Sequence, residues 1–346
     1  MNHRTRTFVA ALALASVTLV AGCSDEGDPV SFGGPSAAPS DRTPSRPAAT
    51  GSPTAPAGPR TLMPTGPKAD FTVANTLDDD TKIAVTTLRG EKSGFTGKVW
   101  VWAPKQYFDP KYANSGFPVL IALPGGNGYP NNYWMGTDLK LQSSISTWSR
   151  EGKSLPFIVV MPVLNPDDRY YYDGSDIPGQ PKMGTWMTED VPDFVRANFR
   201  TFDSRDGWAF MGSSSGAFVG LKSVLQHPDK FKAVIASGPD TVPDSPLWSG
   251  HASERQANNP EHLARLLAAK PGGKASDVYL AFQIGTRESG MKNLKSFMRN
   301  YTKGPVKTRL QVIEDGGHNA RSYIRGMGDG SIAWISAQMQ GPIPAP

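Results

Sequence analysis

Three serines stand between two glycines at residues 212–216, GSSSG, inside WAFMGSSSGAFVGLKSVLQHPDKF. A serine hydroxyl is a weak nucleophile until a base takes its proton, and that base needs an acid to hold its tautomer and steady its charge. Ser214 has Gly212 two residues before it and Gly216 two residues after. That spacing suits a strand-to-helix turn too tight for larger side chains, with the central serine held in a strained conformation. Five histidines are available as base: His3, His227, His251, His262 and His318. His3 lies in an N-terminal leader, His227 at a helix end in HPDKF, His251 in a polar loop and His262 in a helix beginning NPEHL. His318 follows an extended run in EDGGHNA, where Gly316 and Gly317 permit a turn that swings the imidazole back over a sheet. For the acid, Glu288 in QIGTRESG comes first and Asp240 in ASGPD second; Asp315 is too near His318 in sequence to reach round its ring.

Acyl transfer also needs N–H donors for the oxyanion. The Ser215 N–H, at the start of a helix, is one candidate. The other lies in LPGGNGYPNNYW, where Gly126 is the first choice and Asn127 the next. Trp134, Tyr171 and Trp186, with Trp248 and the neighbouring Tyr170 and Tyr172, are the aromatic candidates for lining a substrate site. The acidic run Asp78–Asp80 lacks the spaced ligands and glycine of a calcium loop, and the acyl chemistry calls for neither metal nor cofactor.

The elements that must position these residues are short apolar runs at 82–88, 98–104, 117–125, 157–163, 207–212, 231–238, 278–285 and 308–315. The first two alternate and are close in sequence, which predicts an antiparallel pair. Several later ones are apolar on both faces, as strands covered on both sides are. Helical patterns fall between them in TEDVPDFVRANF, AFVGLKSVLQHP, EHLARLLAAK and NLKSFMRNY. The expectation is an α/β fold, a mostly parallel eight-stranded sheet with helices on both faces. Ser214, Glu288 and His318 then follow the fifth, seventh and eighth strands, at the carboxyl ends where such sheets bind ligands. The order Ser, acid, His along the chain is that of the α/β-hydrolase fold. The segment between the sixth and seventh strands is too short for a large lid.

The chain has 346 residues and a single cysteine, Cys23. Arg4 and Arg6 precede the apolar TFVAALALASVTLV, and the leader closes on LVAGC. Residues 1–22 read as an export signal and LVAGC resembles a bacterial lipobox, with Cys23 the residue to be lipidated. Residues 23–68, rich in Pro, Ser, Ala and Gly, read as a disordered tether that spans roughly 40 Å as a flexible coil and about 140 Å extended. Residues 69–346 form the folded domain. The implied location is the outer face of the cell membrane, held by the lipid, or secretion if Cys23 is not acylated. The formal charge of +5 is scattered, with no basic run interleaved with aromatics, so the composition shows no nucleic-acid footprint.

Two blocks, TWMTEDVPDFVRANF and GWAFMGSSSGAFVGLKSVLQHPDKFKAVIASGPD, resemble the esterase D-like branch of the α/β hydrolases, and within it the secreted mycolyltransferases of the antigen 85 type. VVMPV with the aromatic loop Tyr170–Asp173, GTRES and GGHN are similar as well, so the resemblance spans roughly residues 70–340. It implies a Ser–acid–His triad acting through an acyl-enzyme without a metal. GTRES has a one-residue-shorter spacing than the family's acid segment, and Pro124 stands where the transferases carry an acidic residue tied to sugar binding. Three functions are compatible: an extracytoplasmic esterase acting on small-molecule, lipid or cell-envelope esters, an acyltransferase with a sugar or lipid hydroxyl as acceptor, and a non-catalytic surface binding lipoprotein.

Overall fold

The computed structural model describes residues 27–33, 60–273 and 275–345. Among them a ten-stranded sheet runs in the order β1-β3-β4-β5-β7-β6-β9-β10-β11-β12. Its strands are β1 (Pro29–Val30), β3 (Phe71–Thr76), β4 (Lys82–Arg89), β5 (Thr96–Trp102), β6 (Val119–Leu123), β7 (Ile158–Pro162), β9 (Trp208–Ser213), β10 (Ala233–Ser237), β11 (Val278–Gly285) and β12 (Val306–Ile313). β2 (Thr61–Leu62) and β8 (Thr201–Phe202) form a separate antiparallel pair. From β7 to β12 every pairing is parallel, and from β1 to β5, and across β5 to β7, every pairing is antiparallel. β6, β7, β9 and β10 are buried at every residue, as strands covered on both faces must be.

The expected eight strands are all present, and β1 and β3 add to them on the antiparallel side. β3 buries only its first residue, so FTVANT carries no clear apolar alternation. β1 lies inside the segment expected to be tether, and here the expectation is corrected for two stretches. Pro29 and Val30 pair with Thr72 and Phe71, and the Val73 N–H donates to the Asp28 carbonyl at 2.8 Å. Phe32 is buried in an aromatic cluster, 5.1 Å from the Phe71 ring and 5.0 Å from the Phe199 ring. Arg60 grips Asp203 through its backbone N–H and its Nε, both at 3.1 Å, as the chain enters β2. Residues 27–33 and 60–68 therefore join the fold that was expected to begin at 69. The leader, Cys23 and residues 34–59 lie outside the described residues.

The site is set by three crossings. β9 turns into the helix Ser215–Gln226, β11 leads through Thr286 and Arg287 to Glu288, and β12 turns through Gly316 and Gly317 to His318 and the helix Ala320–Gly326. Among the described residues, the elements between β10 and β11 are the short turn Pro246–Trp248 and the helices Ala252–Ala257 and Pro260–Ala268.

Candidate active site

Ser214 sits between β9 and its helix with φ 53° and ψ −120°, outside the regions open to ordinary L-residues. The turn closes this tightly because of the two glycines. A Cβ on Gly212 would lie 2.4 Å from the Gly216 backbone, and one on Gly216 would lie 2.3 Å from the Pro124 carbonyl oxygen. The Ser214 N–H donates to the Ser237 carbonyl at 2.8 Å and pins the turn to the end of β10.

The serines on either side of it are tied down. Tyr133 Oη accepts from the Gly125 N–H at 2.8 Å and makes a short hydrogen bond with Ser213 Oγ. Ser215 Oγ donates to the Gly126 carbonyl at 2.6 Å. The loop after β6 is thus fastened to the serine turn at two points. Gly126 has φ +67° and open space on its Cβ side. The Ser215 N–H lies in the first helical turn, where no intrahelical acceptor exists. The Gly125 N–H is already engaged by Tyr133, so the loop's donor candidates are the N–H groups of Gly126 and Asn127, beside that of Ser215. Asn127, the next choice, has its side chain and carbonyl tied down: its Nδ2 donates to the Asp168 carbonyl at 2.6 Å, and its carbonyl accepts from Asn165 Nδ2 at 2.6 Å.

On the other side of the turn, His318 Nδ1 meets Glu288 Oε2 at 2.7 Å. The Gly285 N–H donates to Glu288 Oε1 at 2.7 Å, and Tyr323 Oη donates to Oε2 at 2.8 Å. Burial pushes the Glu288 carboxyl up, but the hydrogen bonds from His318, Gly285 and Tyr323 outweigh it and hold it below its ordinary value. The bond to Glu288 raises His318 against the opposing effect of burial. An ionised carboxylate at Nδ1 makes that nitrogen the donor, so Nε2 carries the lone pair. Glu288 is 5% exposed at its side chain and His318 52%, a buried acid behind an open base. Asp240, the second candidate, is exposed, and the imidazole N–H goes to Glu288.

Ser214 and His318 share a cavity of about 300 Å³ with Gly125, Gly126, Tyr133 and Tyr323. Two larger hollows, about 730 and 610 Å³, lie where residues 29–33 and 62–69 cross the sheet edge, and neither holds Ser214, Glu288 or His318. The cavity brings together a polarisable hydroxyl, a base with its tautomer fixed, and backbone N–H groups, the parts that attack on a carbonyl requires.

The aromatic candidates fare differently. Trp134 is fully buried, its Nε1 donating to the Leu123 carbonyl at 2.9 Å. Trp186 is also fully buried, edge-on to Phe95 at 4.9 Å. Both are core residues and not substrate-binding ones; large aromatics are the natural filling beneath loops that carry a site. Trp248 is buried as well, bonded to Asp173. Tyr171 is exposed but does not line the cavity. Two tyrosines that line the cavity were missed from the sequence. Tyr133 is the neighbour of the chosen Trp134, and Tyr323 lies five residues past His318, close enough for a helix after the base to have suggested it. Among the described residues no helix is long and apolar enough to cross a membrane.

A match to the family described as "Putative esterase" covers residues 94–337. No curated protein sequence matches the chain. Among solved structures, a ferulic acid esterase superposes with TM-score 0.60 at 20% identity, over 75% of this chain and 99% of its own. An S-formylglutathione hydrolase from Agrobacterium tumefaciens gives 0.57 at 17%, over 78% and 99%. MPT51 (FbpC1) of Mycobacterium tuberculosis gives 0.50 at 17%, over 72% and 97%. At these identities the structural likeness speaks for the fold, and the family match carries the kinship: the chain belongs to this esterase family, among the serine ester hydrolases and acyltransferases of the α/β-hydrolase superfamily.

Proposed function

We propose that the chain is an extracytoplasmic serine esterase that cleaves carboxylic esters through an acyl-enzyme. Ser214 Oγ attacks the ester carbonyl as its proton passes to His318 Nε2. Glu288 keeps the imidazole in the accepting tautomer and steadies the imidazolium. The N–H groups of Ser215 and Gly126 hold the oxyanion, worth about 3–4 kcal/mol per donor. The ester C–O bond then breaks and His318 returns the proton to the leaving alcohol. Water, deprotonated by the same imidazole, attacks the acyl-enzyme and releases the acid and Ser214. The observation that carries this reading is the 2.7 Å Glu288–His318 contact behind a base that opens onto the cavity of a strained serine.

An exposed base leaves the acyl-enzyme open to solvent, which favours water as acceptor. Tyr129, Tyr170, Tyr171 and Val242, all exposed, lie on the loops after β6, β7 and β10. Those loops are joined by Asn127–Asp168 and by the Ser245 hydroxyl on the Tyr171 carbonyl. We assign this rim, Tyr171 included, to the alcohol portion of the ester. A hydroxyl bound there would make the chain an acyltransferase with a sugar or lipid acceptor; free acid against transferred ester, measured with a sugar alcohol supplied, separates the two. The test of the nucleophile is hydrolysis of nitrophenyl esters from acetate to palmitate by the full chain beside Ser214→Ala. A loss of at least about 10⁴-fold in the variant is expected. Equal inertness of both proteins towards esters and towards a serine-reactive phosphonate would favour a binding protein.

Export and anchoring complete the proposal, on the basic, apolar leader and LVAGC. Cys23→Ser should move the protein from the membrane fraction to the medium, and a variant that stays bound would refute the anchor.

A further inference from the structure

Tyr323 closes a triangle with the acid and the base. Its Oη lies 2.8 Å from Glu288 Oε2 and 2.8 Å from His318 Nδ1, whose own separation is 2.7 Å. The ring is buried, at 2% exposure, and the third side of the triangle abuts bare backbone. Gly238, at the end of β10 with φ +57°, is what leaves that room. A Cβ there would lie 2.2 Å from Tyr323 Oη, 2.8 Å from Glu288 Oε2 and 2.9 Å from His318 Cε1.

We propose that Tyr323 is a positioning residue for the reaction, a fourth member of the Ser214–His318–Glu288 set that acts through Glu288 and His318. This rests on the esterase reading above. The triangle holds two protons, one on the phenol and one on Nδ1, and a carboxylate with none. Both protons therefore point at Oε2, and the phenol lone pair turns toward Nδ1. The opposite arrangement, phenol donating to Nδ1, would set the imidazole lone pair against the carboxylate and place a proton on Nε2, where Ser214 needs an acceptor. Tyr323 thus fills the second acceptor site of Oε2, fixes the carboxylate rotamer and adds an oxygen beside the imidazolium as it forms. Burial, and then the carboxylate, push the phenol well above its ordinary value, so it stays a donor throughout the working range. The other ionisable groups that bear on the triangle are Asp240, whose charge favours the imidazolium, and Tyr133, which bears on Tyr323.

The test is Tyr323→Phe in the full chain, beside Ser214→Ala, with kcat and KM followed across pH. Phe keeps the ring and removes one hydroxyl. The expected result is a fall in kcat of about tenfold with KM nearly unchanged. Glu288, relieved of a donor, becomes the stronger acceptor, so the acidic limb of kcat/KM moves to higher pH. In the wild-type proton NMR spectrum the low-field His318 Nδ1–H resonance should move in the variant. A kcat, limb and resonance all unchanged in Tyr323→Phe, with Ser214→Ala dead, would overturn the role of Tyr323 alone. Activity persisting in Ser214→Ala would overturn the esterase reading and this inference with it.

Discussion

The Glu288–His318–Tyr323 triangle and the cluster around Asp173 and Lys222 both draw polar side chains from separate chain segments into the protein. Asp173, in the loop after β7, accepts from Trp248 Nε1 at 2.6 Å. Lys222, on the helix after Ser214, donates to the Asp173 carbonyl at 3.0 Å, to Ser175 Oγ at 2.7 Å and to the Gly174 carbonyl. Burial pushes the Asp173 carboxyl up to about 6 and the Lys222 ammonium down to about 8. Those shifts are the more eye-catching pair, and a search by perturbed titration would stop there. Yet Lys222 is 1% exposed and spends its protons inward on three acceptors of one loop, residues 173–175. His318 keeps about half its side chain open and faces the cavity of Ser214. Displaced titration marks burial; chemistry needs a displaced group with a valence left over and somewhere to use it.

The comparison is sharpened first at Glu288. Glu288→Gln should lower kcat on the order of 10²- to 10⁴-fold, since the imidazole loses the partner that fixes its tautomer. His318 must be neutral to act, and Glu288 raises it. The acidic limb of the wild-type pH profile should therefore lie above an ordinary histidine and drop to lower pH in the variant. A limb that does not move would mean another group controls it. Next come the ties on the oxyanion loop. Tyr133→Phe and Ser215→Ala each free one of its two fastenings and should cost about tenfold in kcat with little change in melting temperature. The smallest kinetic effect belongs to the other cluster. Lys222→Met leaves several buried acceptors without a donor and should destabilise by about 3 kcal/mol in denaturant titration, while kcat/KM stays within about twofold. A kcat loss in Lys222→Met as deep as in Glu288→Gln would erase the distinction between the clusters.

The site was legible where its chemistry forces rare choices. Only glycine fits at 212 and 216, and a general base just past a strand end left His318 among five histidines. Glu288 followed from its place after a strand, although local sequence ranked it only ahead of Asp240. The sheet's parallel half was readable because strands buried on both faces leave unbroken apolar runs. Trp134 and Trp186 were misread because an aromatic in a site loop has the same local signature whether it faces the substrate or the core. Tyr323 had only its place on the helix after His318 to suggest it, since a tyrosine there becomes a partner of Glu288 only through Gly238 at the end of another strand. β1 was illegible for a similar reason. Two residues in a Pro- and Gly-rich stretch are held by Phe32 entering a cluster with Phe71 and Phe199, a contact made far along the chain.

That short strand changes what a lipid on Cys23 would accomplish. Gly27, only four residues on, already lies against the Val73 backbone. Four residues reach about 14 Å at most, so a leash of dozens of residues becomes a mooring line. From β1 to β9 the sheet makes six steps of about 4.8 Å, which puts the Ser214 turn roughly 30 Å across the sheet from the moored edge. An enzyme so moored would patrol a fixed stratum of the cell envelope, at a height set by the breadth of its own sheet.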